Sequence, residues 1–249
     1  MCGGLPIGDG APVSIQSMTN TDTRDTEATL KQIRQLEEAG CQIVRISVPD
    51  REAAEAFHQI RKKTEIPLVA DIHFDYRLAV EAIRAGADKV RINPGNIGGE
   101  DGVRAVTDAA RKRRIPVRIG VNSGSIEKDI LKKYGSPCAE GLVESALRNT
   151  KLVEKMGLED IVLSVKSSDV VMNYRAYLLL AERTDYPLHI GVTESGTPST
   201  GIIKSSVGLG ALLLDGIGDT IRVSLTADPV REIPVAREIL KNTGNFDGG

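Results

Sequence analysis

Five basic residues stand at matching places in short segments that are rich in β-branched residues. They are Arg45 in VRISV, Arg91 in VRIN, Arg118 in PVRIGVN, Lys166 in IVLSVK and Arg222 in TIRVSL. In each segment the flanking alternate residues are mainly aliphatic, so the basic side chain lies on the other face of the predicted strand. Guanidinium groups bind phosphate oxygens in pairs, and several of them together suit a ligand with multiple negative charges. The pattern predicts a site for a polyanion, and a diphosphate has a suitable charge.

Other polar residues share this inner face of the predicted strands. The set comprises Asp71, His73, Asn122, Thr193 and Ser224, and Glu194 follows directly after Thr193. Asp71 and His73, two positions apart on one strand, suit either a metal or acid–base pair or the orientation of substrate oxygens. Two acids cannot neutralise five bases, and an unpaired buried charge is costly. This imbalance favours a bound anion over a set of internal ion pairs.

These residues fall within eight repeats of a β-rich segment followed by an amphipathic helical stretch. Strands are predicted near residues 12–17, 42–48, 66–72, 88–93, 115–121, 160–166, 187–193 and 219–225. Helices are predicted near residues 25–39, 51–63, 76–85, 101–113, 140–156, 170–183, 202–215 and 229–241. Proline opens strands 1, 3, 5 and 7, and glycine ends the helix before strands 2, 4, 6 and 8, which indicates internal repetition. The longer segment 123–138 after strand 5 is either a lid or a surface helix.

Repeated βα units predict parallel strands with right-handed crossovers. Eight regular units in 249 residues match a (β/α)₈ TIM barrel, which typically needs about 250 residues. An open doubly wound sheet is the alternative, and the lack of a GxGxxG motif after strand 1 favours the closed barrel. No linker divides the chain, so residues 1–249 are predicted to form one substrate-binding domain. Its site is expected at the C-terminal ends of the strands.

The composition argues against several classes of protein. Lysine and arginine number 32 against 34 acids, the net charge is −2, and aromatic residues are 3% with no tryptophan. This argues against a binder of nucleic acid or of a membrane surface. No apolar run approaches about 18 residues, and the N-terminus lacks the features of a signal peptide. Cys2, Cys41 and Cys138 are scattered, which predicts reduced cytoplasmic thiols and no metal site.

Longer strings of residues carry a family resemblance. GDGAPVSIQSMTNT, VRISVP, PLVADIHFDY, RINPGNIG, IPVRIGVNSGSIEKD, SVKSSDV, GVTESG and GDTIRVSLTADPV follow one another along nearly the whole chain. In this order they closely resemble the 4-hydroxy-3-methylbut-2-enyl diphosphate synthases of the non-mevalonate isoprenoid pathway. The resemblance implies an oxidoreductase that opens 2-C-methyl-D-erythritol 2,4-cyclodiphosphate with two electrons. Two alternatives remain, a Schiff-base aldolase that uses Lys166 and a non-catalytic anion-binding barrel.

The resemblance also implies roles for the residues of the predicted site. The diphosphate would be held by Arg45, Arg91, Arg118, Lys166 and Arg222, with help from His73, Asn122 and Ser224. Asp71, Thr193 and Glu194 would face the carbon skeleton. Asp71 and Glu194 are the implied catalytic residues, with Glu194 as the proton donor when the C–O bond breaks.

A cofactor and partners are implied in the same way. The family continues past its barrel into a CPTCGR-type segment and a C-terminal domain that holds a [4Fe–4S] cluster. Cys2, Cys41 and Cys138 do not match those ligands, so we expect the cluster domain to be absent from this chain and the chain alone to be inactive. Reduced ferredoxin or flavodoxin is the implied electron donor of the complete enzyme. A homodimer is also implied, in which the cluster domain of one subunit caps the barrel of the other.

Overall fold

The computed structural model of the protein describes residues 1–246, which form eight strands and nine α-helices. The strands are β1 (Ser14–Met18), β2 (Ile43–Ser47), β3 (Leu68–Asp71), β4 (Lys89–Ile92), β5 (Val117–Asn122), β6 (Ile161–Lys166), β7 (His189–Ile190) and β8 (Thr220–Ile221). The helices are α1 (Thr26–Glu38), α2 (Arg51–Arg61), α3 (Tyr76–Arg84), α4 (Gly99–Arg113), α5 (Lys128–Tyr134), α6 (Ala139–Lys155), α7 (Val170–Ala181), α8 (Pro198–Leu214) and α9 (Glu232–Asn242). None of the helices in this part of the chain is long and apolar enough to cross a membrane.

The strands pair in parallel and form a barrel. Their order is β6-β5-β4-β3-β2-β1-β8-β7. A parallel bridge between Leu163 in β6 and Leu188, just before β7, brings the two ends of this sheet together. Helices follow the strands and surround them, as repeated βα units require. The predicted TIM barrel is confirmed.

Aspartate caps start four of the surrounding helices in the loops that follow the strands. The side chains of Asp25, Asp50, Asp75 and Asp169 each accept a backbone N–H in the first turn of α1, α2, α3 and α7. Such caps satisfy donors that a helix start otherwise leaves unpaired. They fix where each helix begins, and therefore how long the loop at the C-terminal end of each strand is.

Alternation along the strands separates an aliphatic outer layer from a polar interior. Val44 and Ile46 of β2 are fully buried against the helices. Inside the barrel, Lys89 and His189 are fully buried as well. The N-terminal end is closed by a small apolar cluster in which Cys2 packs on residues of β2 and β3. The polar interior therefore has its outlet at the C-terminal end, where a TIM barrel carries its site.

Segment 123–138 contains a helix that the eight-unit scheme does not include. Residues 123–125 form a short 3₁₀ helix, and α5 follows it. Ion pairs hold α5 against α6, with Arg148 Nη1 at 2.7 Å from Asp129 Oδ2 and Lys133 Nζ at 2.6 Å from Glu144 Oε2. Ile130 of α5 is buried in the core. In this structure the segment contains a surface helix that packs on α6.

Candidate functional site

Ten of the eleven predicted site residues line one cavity at the C-terminal ends of the strands. Its volume is about 110 Å³. The ten are Arg45, Asp71, His73, Arg91, Arg118, Asn122, Lys166, Thr193, Arg222 and Ser224. Asp71, Asn122 and Lys166 are the last residues of their strands. Strand parity and the barrel geometry therefore bring these side chains to a single place.

Asp71 links two of the arginines. Its Oδ2 lies 3.4 Å from Arg45 Nε, and its Oδ1 lies 3.2 Å from Arg91 Nη1. Burial opposes the charge of this carboxylate, but Arg45 and Arg91 outweigh burial and hold the pKa of Asp71 well below its usual range. His73 Nε2 is 3.9 Å from the same carboxylate. Asp71 is therefore an anion that orients two guanidinium groups, and these contacts suit positioning better than proton donation.

Two glycines give the basic side chains their room. A Cβ at Gly120 would lie 2.5 Å from Arg91 Nε, and a Cβ at Gly191 would lie 2.9 Å from Lys166 Nζ. At either position a side chain would displace the neighbouring basic group from its place in the cavity. Arg91 also donates from Nη2 to the backbone oxygen of Gly120 at 3.3 Å. The absence of a side chain at these two positions lets the cations lie against the barrel wall.

Arg222 is held by a second carboxylate, that of Glu232 at the start of α9. Arg222 Nε lies 3.4 Å from Glu232 Oε2, and Nη2 lies 3.4 Å from Oε1. The thioether of Met18 in β1 lies between the arginines, with its Sδ 3.0 Å from Arg45 Nη2 and 3.7 Å from Arg222 Nη1. Met18 thus gives both guanidinium groups a neutral acceptor and separates their charges.

Arg118 and Lys166 have no carboxylate partner among residues 1–246. The Nε and Nη1 atoms of Arg118 find no hydrogen-bond partner in that part of the chain. Burial, and then Arg45 and Arg91, lower the pKa of Arg118. Burial, and then the neighbouring arginines, lower the pKa of Lys166 well below its usual value. Both groups are therefore poised to gain from a bound anion.

The charge balance of the cavity is strongly positive. Among the described residues, five cations face the cavity, and the carboxylates of Asp71 and Glu232 are paired with three of them. With all five basic groups protonated, the surplus is three positive charges, which suits a ligand with several negative charges such as a diphosphate. Buried charge of one sign is costly without a counter-charge. The cavity therefore fits a small ligand with several negative charges.

Glu194 is the predicted site residue that does not line this cavity. It is exposed in the loop between β7 and α8, and its backbone is left-handed, with φ of 48°. The loop is tied to the strand end by a hydrogen bond from Ser195 Oγ to the backbone oxygen of Ser224. The carboxylate therefore stands at the rim, one residue beyond the cavity wall that Thr193 forms.

Other residues also shape the cavity. Strand parity places Ser164 on the inner face together with Lys166, and Ser164 lines the cavity, although it is not among the predicted site residues. Strand parity missed Val192, which lines the cavity, and Met18 and Glu232, which contact its arginines. Met18 lies one residue past the predicted end of strand 1. Glu232 lies at a helix start, where strand alternation carries no information. A second cavity of about 590 Å³ adjoins the site and shares His73, Arg91 and Asn122 with it.

The three cysteines do not fit an iron–sulfur cluster. Cys2 is buried at the closed N-terminal end of the barrel, and Cys138 caps α6 by accepting the Gly141 N–H at 3.3 Å. Cys41 lies in the core with its Sγ 3.1 Å from the backbone oxygen of Ile43, and burial raises its pKa to about 12. Within residues 1–246 no group of three or more His, Cys, Asp or Glu side chains is arranged to hold a metal ion. The described residues therefore offer no site for an iron–sulfur cluster.

The fold and the cavity define a TIM-barrel protein with a strongly cationic pocket at its C-terminal face. The chain belongs to the GcpE TIM-barrel domain family, whose model matches residues 1–237. This family fits the resemblance found in the sequence, and it does not fit a Schiff-base aldolase or a merely anion-binding barrel.

Curated relatives agree over most of the chain. The protein named 4-hydroxy-3-methylbut-2-en-1-yl diphosphate synthase (flavodoxin) of Idiomarina loihiensis is 59% identical over 240 residues, which are 96% of this chain and 64% of that protein. Proteins of the same name from Ruminiclostridium cellulolyticum and Geobacillus kaustophilus are each 60% identical and cover 96% and 97% of this chain. The chain thus spans about two thirds of the length of these relatives, with 64%, 68% and 65% of each covered.

Solved structures support the barrel fold alone. Dihydropteroate synthase of Coxiella burnetii, in complex with pteroic acid, matches with a TM-score of 0.66 and 14% identity over 96% of this chain and 94% of that one. Dihydropteroate synthase of Stenotrophomonas maltophilia matches with a TM-score of 0.64 and 15% identity, covering 92% of this chain and 93% of that one. At such identity the likeness carries no information about the ligand.

Proposed function

We propose that this chain is the substrate-binding barrel of an enzyme that reductively opens 2-C-methyl-D-erythritol 2,4-cyclodiphosphate to (E)-4-hydroxy-3-methylbut-2-enyl diphosphate. The observation that carries the proposal is the surplus of three positive charges among the residues that line one small cavity. The names of relatives at about 60% identity support the particular reaction. The reaction consumes two electrons and two protons, and it releases one oxygen of the substrate as water.

The proposed task of the chain is to bind and orient the diphosphate. Arg118 and Lys166 meet its oxygens with charges that no acid of the described chain neutralises. Arg45 and Arg91 are already oriented by Asp71, and Arg222 is paired with Glu232. Oriented donors lose little freedom when the ligand binds, so more of the interaction energy appears as affinity.

The remaining predicted residues are proposed to contact the carbon skeleton of the substrate or to lie at the mouth of the cavity. His73, Asn122 and Ser224 supply polar atoms beside the diphosphate, and Thr193 faces the carbon skeleton. Glu194 is proposed to deliver a proton to the departing hydroxyl from its place at the rim. A Glu194→Gln variant should then keep the affinity for the substrate within about twofold while its turnover, measured with the redox component supplied, falls strongly.

The electrons are proposed to come from outside residues 1–246. The relatives' name includes flavodoxin, and a flavodoxin or a ferredoxin is the proposed donor. We propose a [4Fe–4S] cluster in the complete enzyme, a cytoplasmic location and a homodimer, all as the resemblance implies. Exposed apolar side chains on α8, namely Ile203, Val207 and Leu214, offer surface for a subunit contact. Sedimentation of the wild type and of Val207→Lys tests the dimer.

Calorimetric titration with the cyclic diphosphate and with inorganic pyrophosphate tests the proposed function. We expect saturable binding of both, weakened by Arg118→Met or Lys166→Met by about 10–100-fold, because each variant loses a charge-assisted contact. Lys151→Met on the exposed face of α6 is the matched control. Binding that is absent at millimolar ligand, or equal in Lys166→Met and Lys151→Met, would contradict the proposal.

A further inference from the structure

Glu232 is a buried carboxylate that does not line the cavity but contacts one of the arginines that do. It is the first residue of α9 and is only 2% exposed. Its Oε2 accepts the Ser17 hydroxyl at 2.8 Å, and its Oε1 accepts the Leu225 N–H at 3.1 Å. The same two oxygens face the Nε and Nη2 atoms of Arg222, each at 3.4 Å. One side chain therefore joins β1, the segment that follows β8 and the start of α9 to an arginine of the anion cavity.

The contact with Arg222 leaves a defined part of the guanidinium group free. Nε and Nη2 form one edge of the group, and Glu232 lies along that edge in a side-on, two-point arrangement. Two parallel contacts to one carboxylate give a guanidinium group a preferred orientation, because both of its N–H donors on that edge must meet the two oxygens. The other edge, between Nη1 and Nη2, remains available to an anion. Met18 Sδ, 3.7 Å from Nη1, is a weak acceptor that a phosphate oxygen replaces easily.

Glu232 is itself held rigidly, which a positioning group must be. Ser17 is fully buried in β1, and its hydroxyl has Glu232 as its acceptor. The Leu225 N–H comes from the backbone four residues after the end of β8. Both donors fix the carboxylate relative to the barrel wall rather than relative to α9 alone. Arg222 is 15% exposed and would otherwise have several rotamers to choose from.

We propose that Glu232 is a positioning residue for the anion site, which holds Arg222 with its outer edge toward the ligand. Glu232 acts through Arg222 and does not touch the ligand. This inference rests on the proposed function of the cavity. A purely structural role, in which Glu232 only attaches α9 to the barrel, is the alternative that the experiment must separate from it.

A double-mutant cycle with inorganic pyrophosphate separates the two. In the wild-type background, Arg222→Met should lower the affinity by about 10–100-fold, because a charge-assisted contact is lost. In the Glu232→Gln background the same change should cost no more than about threefold. The amide has one oxygen, and its NH₂ group faces the N–H edge of Arg222, so the arginine is already displaced. The direct effect of the Glu232 charge on the anion is present in both the wild type and Arg222→Met, and absent from both the Glu232→Gln protein and the double variant. It therefore cancels when the cost of Arg222→Met is taken within each background.

Ser17→Ala provides a second background that leaves the charge of Glu232 in place. It removes the donor to Oε2, and the cost of Arg222→Met should again become smaller than in the wild type. Glu238→Gln, on the exposed side of α9, is the control and should leave that cost unchanged. Melting temperatures are measured for every variant, because a structural role alone lowers stability without changing the cost of Arg222→Met.

The outcomes distinguish this inference from the proposed function. Equal or larger costs of Arg222→Met in the Glu232→Gln and Ser17→Ala backgrounds, with normal binding by the wild type, overturn the positioning role and leave the proposed function standing. A wild-type protein that binds no pyrophosphate or cyclic diphosphate contradicts the proposed function, and the inference fails with it. A Glu232→Gln variant that does not fold leaves the Ser17→Ala comparison to decide.

Discussion

Arg118 and Lys166 contribute positive charge to the cavity without a carboxylate partner in residues 1–246, and both side chains are buried. Such charges weaken the folded state when the cavity is free of anions, because desolvation is not offset by an ion pair. A bound diphosphate supplies the counter-charge. The contribution of these two residues to diphosphate affinity therefore depends on the geometry of their donors and on their protonation. Each of these factors can be tested separately.

The geometry of Arg118 is tested by Arg118→Lys. Lysine keeps the charge but loses the planar fork that meets two phosphate oxygens at once. Loss of one charge-assisted hydrogen bond costs about 1.5–3 kcal/mol, so calorimetry should show about 10–100-fold weaker binding of the cyclic diphosphate. Arg34→Lys on the exposed face of α1 is the matched control. Affinities of the Arg118→Lys variant and the wild type within twofold of each other would show that charge alone matters.

The protonation of Lys166 should couple ligand binding to pH. Burial and the nearby arginines lower the pKa of Lys166 in the free protein, and a bound anion raises it again. Between the two pKa values binding takes up a proton, so the affinity falls as the pH rises through that window and is independent of this group below it. Calorimetry in buffers of different ionisation enthalpy measures the uptake.

Lys166→Met is the control for that experiment, since the titration of the ligand itself is common to both proteins. The proton uptake of the wild type should exceed that of Lys166→Met. If both proteins take up the same number of protons at every pH, the coupling does not come from Lys166.

At the scale of elements, the strands carry a polar layer in the barrel beneath the cavity. Ser14, Gln16, Lys89, His189 and Thr220 are at most 1% exposed, and each has a side-chain polar atom without a partner in the described chain. Buried groups of this kind depend on internal water for their hydrogen bonds. A neutral polar group can be satisfied by one internal water at small cost, whereas an ammonium such as that of Lys89 keeps the cost of a buried charge. The strand β4 therefore contains a residue that does not favour the folded state.

Lys89→Met should stabilise the barrel. An unpaired buried ion carries a desolvation penalty of several kcal/mol, so its replacement by an apolar side chain of similar length should gain on the order of 1–4 kcal/mol. Each kcal/mol raises Tm by about 2–4 °C in a chain of this size. Burial lowers the pKa of Lys89 in the folded protein. The unfolded chain therefore binds more protons between that pKa and the ordinary value, and wild-type stability rises with pH through this window.

Thermal unfolding between neutral pH and about pH 10.5 checks both parts of this prediction. Lys89→Met should lack the rise that Lys89 contributes, while the exposed Lys151→Met should retain it. A lower Tm for Lys89→Met than for Lys151→Met at neutral pH would mean that Lys89 stabilises the barrel and has partners inside it.

For the whole molecule, alternation along strands and regular loop chemistry were enough to predict the barrel and most of its cavity. Arg45 and Arg91 were found because a parallel strand turns every second side chain inward. The sequence pattern did not predict the contact between Glu232 and Arg222. Glu232 lies at the start of a helix, and the contact depends on how α9 packs against the barrel. Glu194 follows Thr193, but a left-handed backbone at that residue takes it out of the strand pattern. Packing between elements and local backbone reversal lie beyond what sequence periodicity reports.

In the proposed enzyme the barrel binds the substrate and another component supplies the electrons, which leads to a prediction for this polypeptide by itself. The cavity that the proposal uses for the diphosphate lies within the described barrel. The proposed reaction needs two electrons, and Cys2, Cys41 and Cys138 do not form a cluster site. We therefore expect the 249-residue chain to bind the cyclic diphosphate without reducing it. Bound ligand should raise Tm progressively with concentration, by mass action on the folded state.

Two measurements on the purified chain check this expectation. In the first, Tm is recorded against the concentration of cyclic diphosphate, with Lys166→Met as the weak-binding control. In the second, the chain is incubated with cyclic diphosphate, a strong reductant and a redox mediator, and product is sought by mass spectrometry. A relative of full length under the same conditions is the positive control for turnover. A flat melting curve at millimolar ligand would refute the binding half. Product formed by the chain in the absence of iron would refute the redox half, because the electrons would then reach the substrate through the barrel alone.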